Sequence, residues 1–120
     1  MDDRKKLLTK FGKFIRESRL KLNIGLREFA GKVGISATYI SKMEVGEYAP
    51  PKEENIKKMA KILGLNEDKL ITMAGKTPSD LTDIINKEPE LYAAFLRRVK
   101  KEDIEKFMSD REDKKNGKRG

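Results

Sequence analysis

Apolar residues recur every three or four positions along most of the chain, with polar residues between them. No stretch alternates apolar and polar residues as a half-buried β-strand does, and β-branched residues are scattered. The pattern therefore predicts an all-α fold. The first five predicted helices cover residues 7–22, 26–33, 37–44, 52–63 and 67–74. The stripe of the first helix consists of Leu8, Phe11, Ile15 and Leu22.

Capping residues and glycines mark the ends of these helices. Ser36 is a suitable N-cap for the third helix, because its hydroxyl can accept a hydrogen bond from a free N–H of the first turn. Gly46, Gly64 and Gly75 end the third, fourth and fifth helices. Five helices therefore fit into residues 1–75, which we predict to be one domain.

The chain beyond Gly75 contains two or three further helices. Thr77 and Pro78 have the pattern of a helix start, and Pro89 starts the next helix. The apolar residues of this extension are too numerous to remain in water: Leu81, Ile84, Ile85, Leu91, Tyr92, Phe95, Leu96, Val99, Ile104, Phe107 and Met108. Residues 110–120 are charged without apolar anchors, and we expect them to be disordered.

Three interpretations of residues 76–109 remain open. They are additional core packed on the preceding helices, an interface between two copies of the chain, or a docking site for a regulatory protein. The short link through Lys76 favours packing nearby over a free second domain. A chain of 120 residues leaves no room for a large ligand-binding domain.

The charge is unevenly distributed. The chain carries 28 basic and 20 acidic residues, a net charge of +8. Residues 4–42 carry eleven basic and two acidic residues, so this first third holds the whole excess. A segregated basic surface indicates a polyanionic partner, usually nucleic acid.

The composition also excludes several kinds of chemistry. The chain has no Cys and no His, which excludes disulfides, thiol catalysis, histidine bases and Cys/His metal sites. No apolar run reaches the roughly 18 residues that span a bilayer, and the N-terminus lacks the apolar segment of a signal peptide. We therefore expect a cytoplasmic protein that is not an enzyme and needs no metal or cofactor.

The segment from Leu26 to Glu44 combines several independent constraints. Ala30 lies where two short helices would cross, and Gly34 lies at the turn, where a positive φ favours glycine. The apolar positions face the core if the second helix lies across the first: Phe29, Val33, Ile35, Ile40 and Met43. The segment resembles the helix-turn-helix of the lambda-repressor-like DNA-binding family, also called the XRE or Cro type. The resemblance covers residues 9–75 and implies five helices.

The resemblance implies that the helix 37–44 lies in the major groove of double-stranded DNA. The residues implied to read bases are Ala37, Thr38, Ser41 and Lys42. The residues implied to bind phosphate are Arg27, Ser36 and Tyr39, with Lys32 and Lys52 as weaker candidates. Arg19 and Glu44 occupy the positions of the family's internal salt bridge.

Three positions depart from the family pattern. Leu26 stands where the family often has a Gln that binds phosphate and braces the recognition helix. Gly25 replaces a capping Ser, Thr or Asn. Gly31 lies inside a helix, where it costs roughly 0.5–1 kcal/mol relative to Ala, and close packing is the simplest explanation for it.

Together these features predict a sequence-specific transcriptional regulator, more specifically a repressor that acts as a homodimer on double-stranded DNA. Two alternatives remain. One is an antitoxin or accessory subunit that uses the same DNA-binding domain and binds a protein through residues 77–109. The other is a protein-interaction module without DNA specificity.

Overall fold

A computed structural model describes the backbone of residues 3–117 and the side chains of residues 3–111. Within that range every regular element is an α-helix, which confirms the predicted all-α class. The helices are α1 (Asp3–Lys21), α2 (Leu26–Val33), α3 (Ala37–Glu44), α4 (Glu53–Leu63), α5 (Glu67–Met73), α6 (Ser79–Lys87), α7 (Pro89–Arg98) and α8 (Lys101–Gly117). The chain divides into two compact units, residues 1–79 and 80–120.

One apolar core holds α1 to α5 together, because each helix turns one stripe inward. Its fully buried large side chains are Phe11, Ile15, Phe29, Val33, Ile40, Met43, Ile56, Met59, Leu70 and Ile71. The sequence-based placement of Leu22 on this stripe is wrong, since Leu22 is 50% exposed. Helix α1 ends at Lys21 and Asn23 adopts a positive φ of 55°, so Leu22 no longer follows the helical period.

The turn between α2 and α3 is built from three residues, Gly34 to Ser36. Gly34 has a φ of 86°, and its N–H and that of Ile35 both donate to the carbonyl of Ala30, at 2.8 and 3.0 Å. The Ser36 Oγ accepts from the N–H of Tyr39 at 3.1 Å and caps α3. The positive φ of Gly34 and the cap at Ser36 therefore set the direction in which α3 leaves α2.

The first unit extends four residues beyond Gly75. The N–H of Lys76 donates to the carbonyl of Ile71, and Ser79 is bound to the carboxylate of Glu53 through its N–H at 2.9 Å and its hydroxyl at 2.7 Å. The Ser79 hydroxyl holds the pKa of Glu53 below its usual value. These bonds explain why α6 begins at Ser79 and not at Pro78.

The helices of the second unit bury none of their described large apolar residues. Helices α6 and α7 contain no buried residue, and Leu91, Phe95, Leu96, Phe107 and Met108 are each more than half exposed. The predicted disordered segment, residues 110–120, lies partly outside the described residues. The backbone of residues 110–117 continues α8, and the disorder of the tail stays a prediction.

Among residues 3–117, no helix is both long and apolar enough to cross a membrane.

Candidate nucleic-acid interface

The outward side of α3 forms an open depression of about 390 Å³, which we call the reading face. Its lining consists of Leu26, Arg27, Ala37, Thr38, Ser41, Lys42, Val45 and Glu47. All four residues assigned to base reading lie in this lining, together with Arg27 of the phosphate set. The helix-turn-helix geometry thus collects residues from the start of α2 and from one side of α3.

The four assigned base-reading residues differ in exposure. Thr38 and Ser41 are exposed, while Lys42 and Ala37 are half-buried. The side chain of Ala37 is a single methyl group, which packs partly against the core and also lines the reading face. The reading face is therefore small and mostly polar, and its lining contains two cations, Arg27 and Lys42.

Three residues of the reading face were not found by sequence reasoning. Leu26 departs from the family pattern at a position that often binds phosphate, and its partly buried side chain packs on the core and lines the depression. Val45 and Glu47 lie beyond the last residue of α3. Helical periodicity does not predict where residues beyond the end of a helix lie. The feature that could have indicated Val45 and Glu47 is the turn at Gly46, where φ is +83°.

The five phosphate candidates lie in different environments. Arg27 is exposed and forms no ion pair within the described residues. Lys32 lies 3.3 Å from Glu28, and Lys52 lies 3.7 Å from Glu54; both pairs are largely exposed and contribute little to stability.

Ser36 and Tyr39, the other two candidates, both take part in bonds within the chain. The Ser36 hydroxyl accepts a bond as the cap of α3 and keeps its own proton to donate. The Tyr39 hydroxyl donates to the carbonyl of Ala49, and burial raises the pKa of this phenol. A phosphate contact through the Tyr39 hydroxyl would therefore require exchange of that bond.

Arg19 and Glu44 form a buried, two-pronged ion pair between α1 and the end of α3. The Arg19 Nε and Nη2 atoms lie 2.9 Å from the two carboxylate oxygens of Glu44, and each residue is 7% exposed. The remaining nitrogen, Nη1, donates to the carbonyl of Ile24 at 2.9 Å. The bond to Glu44 raises the pKa of Arg19.

Gly12 allows α1 to approach the C-terminal end of α3 closely. A Cβ atom at Gly12 would lie 2.2 Å from the carbonyl oxygen of Met43 and 2.7 Å from that of Glu44. These are backbone atoms, which cannot turn away as a flexible side chain does. This role is not visible in the sequence, because a glycine inside a helix looks the same whether or not another backbone approaches it.

The two glycines that depart from the family pattern, Gly25 and Gly31, have no close neighbours. Gly25 precedes α2 without a side-chain cap. The explanation of Gly31 by close packing is wrong, because a Cβ atom there would meet no atom within 4 Å. Within the described residues no three Asp or Glu side chains are grouped so as to hold a metal ion.

Comparison with known proteins identifies the domain. The family described as "Helix-turn-helix domain" matches residues 12–76, more than half of the chain. A Bacillus subtilis (strain 168) protein, the uncharacterized HTH-type transcriptional regulator RghRB, is 35% identical over 68 residues, which make up 57% of this chain and 49% of that protein. The chain thus spans about half the length of this curated relative.

Two solved structures align with most of this chain. The crystal structure of the clp gene regulator ClgR from Corynebacterium glutamicum is 20% identical with a TM-score of 0.50, over 77% of this chain and 94% of that one. A structure of a SinR–SinI complex is also 20% identical, with a TM-score of 0.49, over 88% of this chain and 98% of that one. Together with the geometry of α2 and α3, the match over residues 12–76 establishes that the chain belongs to the helix-turn-helix family of the lambda-repressor-like (XRE) type.

Proposed function

We propose that this protein is a sequence-specific transcriptional repressor that binds double-stranded DNA as a homodimer, with α3 in the major groove. The observation that carries the proposal is the reading face, which collects Thr38, Ser41 and Lys42 beside Arg27. The family is one of DNA-binding domains and not of enzymes, and the Bacillus subtilis relative is named as a transcriptional regulator. Repression requires only that the DNA site be occupied.

The distribution of basic residues also supports DNA as the partner. The eleven basic and two acidic residues of positions 4–42 all lie on α1, α2 and α3. Such a field attracts phosphate at long range and gives binding a steep dependence on salt. Part of it is used internally, because Arg19 is bound to Glu44.

Each residue of the reading face offers a different contact. The methyl group of Ala37 suits the methyl of thymine, and the hydroxyls of Thr38 and Ser41 can donate or accept. The ammonium of Lys42 can donate to O6 or N7 of guanine. The Arg27 guanidinium and the Ser36 hydroxyl at the start of α3 can donate hydrogen bonds to phosphates that flank the groove.

The second unit supports a homodimer through α7. Glu88 and Glu90 lie at the N-terminal end of this helix, and Arg97 and Arg98 lie at its C-terminal end. None of the four side chains forms an ion pair within the described residues. A two-fold contact between antiparallel copies of α7 would place the acidic end of one copy beside the basic end of the other. The same contact would cover exposed apolar residues between these ends, such as Phe95.

We expect Phe95→Asp to weaken self-association at least about tenfold, a loss of roughly 1.4 kcal/mol, because it places a charge in the apolar contact. Sedimentation equilibrium measures the dissociation constant. Leu20→Asp is the matched control, since Leu20 is similarly exposed, at 52% against 57%, and lies on α1. Equal self-association of Phe95→Asp and the unmodified protein would exclude α7 as the interface.

The central test of the proposal is selection of bound duplexes from a random pool by the purified full chain. A homodimer should yield a palindromic consensus with half-sites about 34 Å apart. Recovery of all sequences alike would mean that the chain is an interaction module or a non-specific DNA binder. Co-purification with a neighbour-encoded protein that masks α7 would favour the antitoxin alternative.

Two variants separate base contacts from phosphate contacts. We expect Lys42→Ala to relax the preference at one base step of each half-site, at a cost of about 1–3 kcal/mol for the consensus. Arg27→Ala should weaken all sequences alike and lower the slope of log affinity against log salt by about 0.9. Uniform weakening by Lys42→Ala would instead assign Lys42 to a phosphate.

A further inference from the structure

Glu47 places a negative charge on a surface that is otherwise suited to a polyanion. Among the described residues that line the reading face, it is the one acid, and its side chain is 60% exposed. A carboxylate facing phosphates reduces affinity by like-charge repulsion. The contacts of Glu47 indicate a role that offsets this loss of affinity.

The carboxylate of Glu47 holds the ammonium of Lys42. The Lys42 Nζ lies 3.3 Å from Oε2 of Glu47 and 5.8 Å from the centre of the Tyr48 ring, which places the cation between an anion and an aromatic face. The Lys42 side chain is 44% exposed. Both contacts come from residues that directly follow the turn at Gly46.

The backbone fixes these two partners relative to Lys42. The N–H groups of Glu47 and Tyr48 both donate to the carbonyl of Lys42, at 2.9 and 3.3 Å. The Tyr48 ring also lies against the Tyr39 ring, with centroids 5.7 Å apart, and Tyr39 is anchored to the carbonyl of Ala49. Glu47 and Tyr48 therefore fold back onto Lys42 and contact both its backbone carbonyl and its side chain.

Restraint changes what a lysine does at a DNA surface. A free lysine is a point charge on a flexible four-carbon stem, and it turns readily to a nearby phosphate. A lysine held by Glu47 keeps two further N–H donors for a base edge. We propose that Glu47 is a specificity-determining positioning residue, which directs Lys42 to a base in the major groove and disfavours its binding to phosphate. This inference rests on the proposed function.

Glu47→Gln tests the inference, with Glu17→Gln as the matched control. Glu17 is also 60% exposed and pairs with a lysine, Lys13, at 4.0 Å, but it lies on α1 outside the reading face. Each variant is put through selection from a random duplex pool, and its affinity for one random duplex is measured as a function of salt.

We expect Glu47→Gln to relax the preference at the same base step as Lys42→Ala. It should also bind the random duplex more tightly and steepen the salt slope by about 0.9, because Lys42 becomes free to neutralise one more phosphate. Glu17→Gln should leave the consensus unchanged. In a Lys42→Ala background, Glu47→Gln should change the base preference no further, because Glu47 acts through Lys42.

Two results would overturn the inference while the proposed function stands. One is a clear wild-type consensus that Glu47→Gln leaves unaltered. The other is an altered preference that persists in the Lys42→Ala background, which would mean that Glu47 contacts a base itself, such as N4 of cytosine. A wild-type protein without any consensus would reject the proposed function, and this inference with it.

Discussion

Replacing Glu44 with Ala is expected to destabilise the protein by about 3–5 kcal/mol. The substitution leaves the guanidinium of Arg19 buried without its carboxylate, and a buried charge that loses its partner is strongly destabilising. Arg19→Ala should cost about as much, because it strands the carboxylate of Glu44 and also removes the bond to the carbonyl of Ile24. Denaturant unfolding followed by circular dichroism measures both losses.

The control for this pair is the exposed ion pair of Lys13 and Glu17, whose atoms lie 4.0 Å apart. Glu17→Ala should cost less than about 1 kcal/mol, because water already screens both charges. The double variant Arg19→Ala/Glu44→Ala should lose less than the two single losses added together, since neither charge is then left unpaired. Single losses below about 1 kcal/mol for both Arg19→Ala and Glu44→Ala would show that the pair contributes no more than a surface pair.

Gly12→Ala is expected to destabilise the protein by an amount at or above the upper end of the roughly 1–3 kcal/mol typical of overpacking. The added methyl would lie 2.2 Å from the carbonyl oxygen of Met43, so α1 and the end of α3 would have to separate. Separation would also strain the nearby pair of Arg19 and Glu44. We therefore expect weaker binding to the selected duplex as well as a lower melting temperature.

Gly31→Ala is the matched control, because it makes the same chemical change inside a neighbouring helix. A Cβ atom at Gly31 meets nothing within 4 Å, and alanine is the better helix former by roughly 0.5–1 kcal/mol. The two substitutions should therefore shift the free energy of unfolding in opposite directions. A Gly12→Ala protein as stable as Gly31→Ala would show that α1 and α3 do not approach as closely as described.

Much of the fold was predictable because the relevant physics is local. The stripes of α2, α3 and α4, the cap at Ser36 and the left-handed Gly34 follow from residue types three or four positions apart. The bounds of α2 and α3 agree with their predicted ranges to the residue. The motif spacing also placed Arg19 opposite Glu44, 25 residues away, because the family resemblance supplies long-range pairs that periodicity does not.

Other features could not be predicted from a local pattern. Leu22 follows the helical period of α1 in sequence but lies after the end of the helix, where Asn23 turns the chain. Helix α6 begins one residue later than its proline indicates, because the acceptor for its first N–H is Glu53 of α4, 26 residues away. The pattern of apolar residues predicts neither difference, because one arises from a turn and the other from a contact with a residue distant in sequence.

The sequence is sufficient to predict the all-α class, the helix-turn-helix with the bounds of α2 and α3, and the basic character of α1 to α3. The close backbone contact at Gly12, the open space at Gly31 and the position of Glu47 beside Lys42 are visible only in the folded chain. The physical reason is that helical period and residue chemistry act over a few residues. The space around a glycine, or the partner of a lysine, depends on which other segment is folded against it.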